Sequence, residues 1–218
     1  RIAVVGDLNG DGLNELAIGA PGSDLAGENA GALSIVSASV RGDHSLADAP
    51  WVLLPPDDAT HAGFGSSVDV AEDFNGDGIP ELLIGSFDEE EADPGTLWIV
   101  FSPDFDMRQS ETVRIDGAFS GGMLGNHSTA CDVDGDGIQD LLTSAHHAGD
   151  THHGGLVYLW YGPISEEETL FTSDAKFFGQ EMDNIGQDLT CQDISGDGRY
   201  DIVIGAEGHF VDDIPLAG

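Results

Sequence analysis

Positive charge is scarce in this chain. Six Lys and Arg stand against 41 Asp and Glu over 218 residues, a formal charge of −35. Such a surface repels phosphate backbones and anionic bilayers, so nucleic acid and membranes are poor partners. Long apolar runs are also missing, so no segment is suited to span a bilayer, and no leader-like segment opens the chain. Because the chain starts directly on a strand pattern, that carries no information about a full-length protein. Nor does the sequence show a nucleophile with its base or a water-activating metal triad, which argues against an enzyme within these residues. Acidic chains can be disordered for want of apolar surface, but 40% hydrophobic residues in regular short runs argue against that here.

The acids are concentrated in one stretch that occurs four times. The copies run from Asp7 to Glu15, Asp73 to Glu81, Asp132 to Asp140 and Asp193 to Asp201, and hold thirteen of the acids. Oxygen-bearing side chains recur at positions 1, 3 and 5: Asp7, Asn9 and Asp11; Asp73, Asn75 and Asp77; Asp132, Asp134 and Asp136; Asp193, Ser195 and Asp197. Position 9 returns another acid (Glu15, Glu81, Asp140, Asp201), and position 7 (Leu13, Ile79, Ile138, Arg199) can offer its backbone carbonyl. Hard oxygen donors crowded in this way suit Ca²⁺, which takes six to eight of them in flexible geometry. Without a cation the carboxylates would repel one another. Gly12, Gly78, Gly137 and Gly198 at position 6 fit a bend that needs positive φ. A single copy reads as a polar turn; four with the same ligand pattern predict about four calcium sites. Four such ions would still leave the chain at −27. Ligand charge predicts the third loop, with four carboxylates, as tightest, and the fourth, with Ser195 and Arg199, as weakest.

These loops are not EF-hands, because position 12 is Ile18, Ile84, Thr143 or Ile204 rather than a bidentate Glu. Their flanks read as strands, at 2–5 and 16–18 around the first loop and at 82–84 and 202–204 after later ones. The loops start at 7, 73, 132 and 193, a spacing of 66, 59 and 61 residues. Each unit opens with a bulky residue and Gly (Phe64-Gly65, Leu124-Gly125, Ile185-Gly186), except the first. A second strand follows the loop and ends in a small pair: Gly19-Ala20, Gly85-Ser86, Ser144-Ala145 or Gly205-Ala206. Third strands are expected at 32–36, 96–101 and 156–161, and outer strands at 51–54, 112–115 and 169–171. The predicted fold is therefore all-β: a partial β-propeller of four-stranded antiparallel blades with calcium loops between first and second strands. Units are expected at 1–60, 61–120, 121–181 and 182–218, the last incomplete because Ala217-Gly218 falls where a third strand should begin. The sequence thus reads as a piece of a longer protein, with missing blades supplied by the same chain or a partner chain.

The two cysteines, Cys131 and Cys191, precede their loops by one and two residues and so are not equivalent. Two small buried thiols are the expectation, with a disulfide between neighbouring repeats the alternative. His146-His147 and His152-His153 flank a Gly-containing loop and could bind a transition metal, but a solvated loop is the plainer reading. Glu89-Glu90-Glu91 and Glu166-Glu167-Glu168 read as solvated charge runs, and Arg41-Gly42-Asp43 as a chance tripeptide on a hairpin.

Phe64-Gly65-Ser66-Ser67-Val68, the loop from Asp73 to Glu81 and Gly19-Ala20-Pro21 resemble the FG-GAP repeat of the integrin α-subunit β-propeller. The resemblance covers essentially the whole chain, with departures at Leu124-Gly125, Ile185-Gly186 and in the Gly-Ala-Pro triplets. It implies a seven-bladed ring of which about half is absent, structural calcium, an extracellular or cell-surface location, and adhesion or recognition of a protein or glycan. Similar repeats accompany glycosylphosphatidylinositol-specific phospholipase D. That implies the alternative of a non-catalytic propeller in a larger secreted hydrolase.

Overall fold

The computed structural model describes residues 1–8, 11–55, 63–75, 77–87, 93–101, 111–148, 154–164 and 168–208. Among these residues, fourteen strands fall into four sheets in chain order. The first holds β1 (Ile2–Val4), β2 (Glu15–Ala20), β3 (Ala32–Ser37) and β4 (Trp51–Leu53). The second holds β5 (Phe64–Ala71), β6 (Glu81–Ser86), β7 (Thr96–Val100) and β8 (Thr112–Asp116). The third holds β9 (Leu124–Cys131), β10 (Asp140–Ala145), β11 (Leu156–Trp160) and β12 (Ala175–Phe178). The fourth pairs β13 (Ile185–Gln192) with β14 (Asp201–Ala206). All pairings within sheets are antiparallel between sequence neighbours, an order consistent with consecutive propeller blades. Among the described residues the one helical segment is the short 3₁₀ turn Leu46–Asp48, and no helix is long and apolar enough to cross a membrane.

The second strands of the two middle sheets, β6 and β10, carry apolar side chains on both faces because both faces are covered. In β6, Leu82 and Ile84 join Leu33, Ile35 and Trp98 in one cluster, while Leu83 between them points the other way, into a cluster with Leu141 and Trp160. In β10, Leu141 faces back toward the second sheet and Leu142 forward to Leu189 and Ile204. This is the period-2 alternation of a pleated strand, applied to two apolar faces at once. Each such Leu or Ile, taken from water, contributes about 2 kcal/mol. β6 and β10 are buried at every position, whereas β14 is buried at none.

The small residues mark where sheets meet. A Cβ on Gly19 would lie 2.0 Å from the Gly65 carbonyl oxygen, and one on Gly85 would lie 2.2 Å from that of Gly125. Gly65 and Gly125 themselves have φ of +87° and +83°, each beside a register shift in its strand. The preceding bulky residue anchors the seam through its backbone. Phe64 N–H donates to Ala30 O at 3.0 Å, Leu124 N–H to Pro94 O at 2.9 Å and Ile185 N–H to Gly154 O at 3.1 Å. Backbone carries this joint, so Leu or Ile replaces Phe without loss of the seam.

Two expectations are corrected. Residues 169–171 are not the outer strand of the third sheet: Thr172 N–H donates to Thr169 O, Trp160 Nε1 donates to the same carbonyl, and Phe171 is 93% exposed on the resulting turn. The strand lies at β12, where Leu159 pairs with Ala175 and Leu156 with Phe178. The cysteines are not free thiols but a disulfide, Cys131–Cys191, with Cα atoms 6.5 Å apart. The one-residue offset that makes them look inequivalent is what lets neighbouring first strands, β9 and β13, bring the two side chains together. Residues 217–218, where a further strand was expected to begin, lie outside the described residues.

Candidate metal centres

Each acidic loop joins the first two strands of its sheet and is closed by its own side chains. The position-1 carboxylate accepts the N–H groups of positions 5 and 6 in every copy: Asp7 from Asp11 and Gly12, Asp73 from Asp77 and Gly78, Asp132 from Asp136 and Gly137, Asp193 from Asp197 and Gly198. The position-5 carboxylate accepts the N–H of position 7, from Leu13, Ile79, Ile138 and Arg199 at 2.8–3.0 Å. The position-9 acid reaches back to the N–H of position 2: Glu15 to Leu8, Glu81 to Phe74, Asp140 to Val133, Asp201 to Ile194. The position-6 glycines have φ between +83° and +91°, and a Cβ there would meet nothing, so backbone conformation rather than space demands Gly.

The second loop departs from a self-satisfied turn. Asp73, Asp77 and Glu81 each place a carboxylate oxygen within 4.8 Å of the others. Glu81 is fully buried, and its Oε1 has no hydrogen-bond partner. Burial first, then the charges of Asp73 and Asp77, push its carboxyl up to about 7, against the opposing hydrogen bond from Phe74. A buried acceptor left open beside two carboxylates is costly unless a cation completes it. The donor set of hard oxygens fits Ca²⁺.

In the third loop Asp132, Asp134 and Asp136 converge within the same limit, but Asp140 does not join them. Its Oδ2 accepts from Val133 at 2.7 Å and its Oδ1 from Gly162 at 2.9 Å. Burial pushes the Asp140 carboxyl up, with these two N–H groups pulling against it. The fourth acid of this loop therefore works as a structural tie between the loop and the segment after β11. The first and fourth loops show no such three-carboxylate convergence among the described residues. Asn9 lies outside them, and Asp201 Oδ2 is shared by Ile194 and Ser195 N–H. Asn75 lies in its loop with Oδ1 accepting from Asp77 N–H at 3.0 Å, while Ser195 carries no comparable side-chain bond to Asp197.

The loops stand side by side. Pro80 lies 3.5 Å from where a Cβ on Gly6 would be, Gln139 Oε1 accepts from Glu72 N–H at 2.7 Å, and the Arg199 side chain lies against Gly135. Sequence reading did not find these contacts, since positions 7 and 8 carry no common residue type. It also missed the pair His127 Nε2–Asp188 Oδ1 at 3.2 Å, which joins β9 to β13. Of the other candidates, His146 is buried rather than solvated. Arg41 turns its guanidinium onto the Ala38 and Val40 carbonyls, and His146 stacks on His147 at 4.1 Å. His152, His153, Glu89-Glu90-Glu91, Glu166 and Glu167 lie outside the described residues.

Three successive four-stranded antiparallel sheets and a two-stranded fourth, each with an acidic loop between its first two strands, define a β-sheet repeat protein of the propeller type. Residues 1–36 match the FG-GAP repeat and residues 73–143 the FG-GAP-like repeat. The chain is 34% identical over 85 residues to mouse integrin alpha-X, an alignment covering 39% of this chain and 7% of that one. Against the phosphatidylinositol-glycan-specific phospholipase D of Dictyostelium discoideum it is 28% identical over 220 residues, covering 83% and 23%. Against the human enzyme of the same name it is 31% identical over 181 residues, covering 75% and 21%. Over these stretches the chain carries FG-GAP-type repeats and is similar both to integrin α subunits and to phosphatidylinositol-glycan-specific phospholipases D. It spans less than a quarter of the length of these relatives.

Proposed function

We propose that this chain is a calcium-stabilised FG-GAP propeller module that recognises a protein or glycan outside the cell. The observation that carries the metal reading is the convergence of Asp73, Asp77 and Glu81, the last with a buried Oε1 that has no hydrogen-bond partner. In this reading each loop offers its position-1, -3, -5 and -9 side chains and the position-7 carbonyl. The third loop relies on Asp132, Asp134 and Asp136. The ions are structural: they hold the turn between first and second strands while neighbouring loops present the recognition surface. Four units, 1–60, 61–120, 121–181 and 182–218, each carry one loop, and further blades come from the same chain or a partner. The disulfide supports an oxidising, extracellular setting, where calcium is abundant enough for loops of micromolar to millimolar affinity.

A second reading is favoured by coverage. The phospholipase relatives align over 75–83% of this chain, so the module also suits the non-catalytic portion of a secreted hydrolase. Chelator and millimolar Ca²⁺ test the metal reading common to both. Melting temperature should rise by many degrees with Ca²⁺ and by less with Mg²⁺, whose octahedral demand these loops meet poorly. Identical melts would end it. A glycan and protein array probed with the calcium-loaded chain tests recognition.

A further inference from the structure

We propose that Arg199 is a tethered counter-cation that the fourth loop lends to the third, lowering the calcium affinity of the third site and stabilising its empty form. The inference rests on the calcium reading above and adds a regulator to it. Arg199 sits at position 7 of its own loop, where only its backbone is called on: its N–H donates to Asp197 Oδ1 at 3.0 Å. The side chain leaves that loop. Its Nε, Cζ and Cγ lie 3.7, 3.9 and 4.0 Å from the point a Cβ on Gly135 would occupy. Gly135 stands between Asp134 and Asp136, and its N–H donates to Asp132 Oδ1 at 2.7 Å. The Arg199 stem and guanidinium therefore pass alongside Gly135, on the loop whose three carboxylates converge.

Two further features make the placement more than a passing rotamer. The Cys131–Cys191 bridge ties the roots of both loops, one residue before Asp132 and two before Asp193, so the arm starts from a fixed distance. Gly135 also has φ of +81° and no side chain of its own, which leaves the loop surface open to the incoming stem. Only six Lys and Arg occur in the chain, and the equivalent position in the other loops is Leu13, Ile79 or Ile138. A fixed positive charge near clustered acids relieves their repulsion when no ion is bound and opposes a divalent ion when one arrives. The third site is thereby set to fill at a higher calcium level than its carboxylates alone would give.

The test is calorimetric calcium titration of the full chain and its Arg199→Gln variant, each with and without Asp136→Ala, at low and high ionic strength. Arg199→Gln should tighten one class of site on the order of five-fold at low salt and by less at high salt. It should also lower the melting temperature in chelator. In the Asp136→Ala background the tightening should vanish. Failure of the unsubstituted chain to bind calcium overturns the metal reading itself. Calcium binding that Arg199→Gln leaves unchanged overturns this inference alone. So does tightening that persists with Asp136→Ala, since it would place the effect in the arm's own loop.

Discussion

Glu81 is the residue on which most depends. With its carboxyl pushed up to about 7 against an ordinary 4.5, the folded metal-free chain holds a proton there more tightly than the unfolded chain does. The associated stability is present in full below about pH 4.5 and is lost as pH rises through 7, at most about 3 kcal/mol. Glu81→Gln removes that loss, so in chelator at pH 8 the variant should unfold at higher urea than the parent. In millimolar Ca²⁺ the order should reverse, because the amide replaces a charged ligand. A variant weaker in both conditions would show that Glu81 serves only as the tie to Phe74. Among the loops, calcium-dependent stabilisation should suffer more from Asp77→Ala than from Asp197→Ala, since the second loop has both the convergence and the open oxygen. Asp136→Ala should fall between them, as Asp140 is already engaged by Gly162. Equal losses would mean that loop rigidity, not ligand placement, sets affinity.

At the scale of the element, the seams between sheets decide what can be changed. Gly85 has an ordinary backbone conformation but no room, its absent Cβ pointing at the Gly125 carbonyl 2.2 Å away. Gly85→Ala should therefore cost about 2 kcal/mol or more in urea denaturation, through backbone displacement between β6 and β9. Gly22→Ala, with nothing within 4 Å, should stay within about 0.5 kcal/mol. The third sheet has Ser144 in place of Gly: its Oγ accepts from His127 N–H at 3.2 Å within the sheet, and Gly186 across the seam leaves the room, since a Cβ there would lie 2.7 Å from Ser144 Cβ. A seam needs a glycine on at least one of its two sides.

For the whole molecule, the disulfide closes a separation of 60 residues and joins the third sheet to the two-stranded fourth, whose β14 has no fully buried position. Chain entropy puts its contribution at about 4 kcal/mol. Reduction, or Cys131→Ser with Cys191→Ser, should release the fourth sheet first. Hydrogen exchange would rise in β13 and β14 before β6 and β10. Uniform exchange across all sheets would instead indicate that the stack unfolds as one unit.

The tight turn of each loop was legible in the sequence because everything it needs lies within nine residues. Position-1, -5 and -9 carboxylates bond to N–H groups at most seven residues away, and positive φ demands its Gly locally. Strand order was legible for a similar reason: apolar runs on both sides of each loop pair with their sequence neighbours. What tertiary structure alone decided joins residues far apart. Asp140 is drawn off by Gly162, 22 residues on, Gln139 reaches Glu72, 67 residues back, and Cys131 finds Cys191. The outer strand of the third sheet shifted to Ala175–Phe178 because the Trp160 indole holds residues 169–172 as a turn. Residue identity sets which groups could bind an ion, but burial and long-range partners set which oxygen is left open to do so.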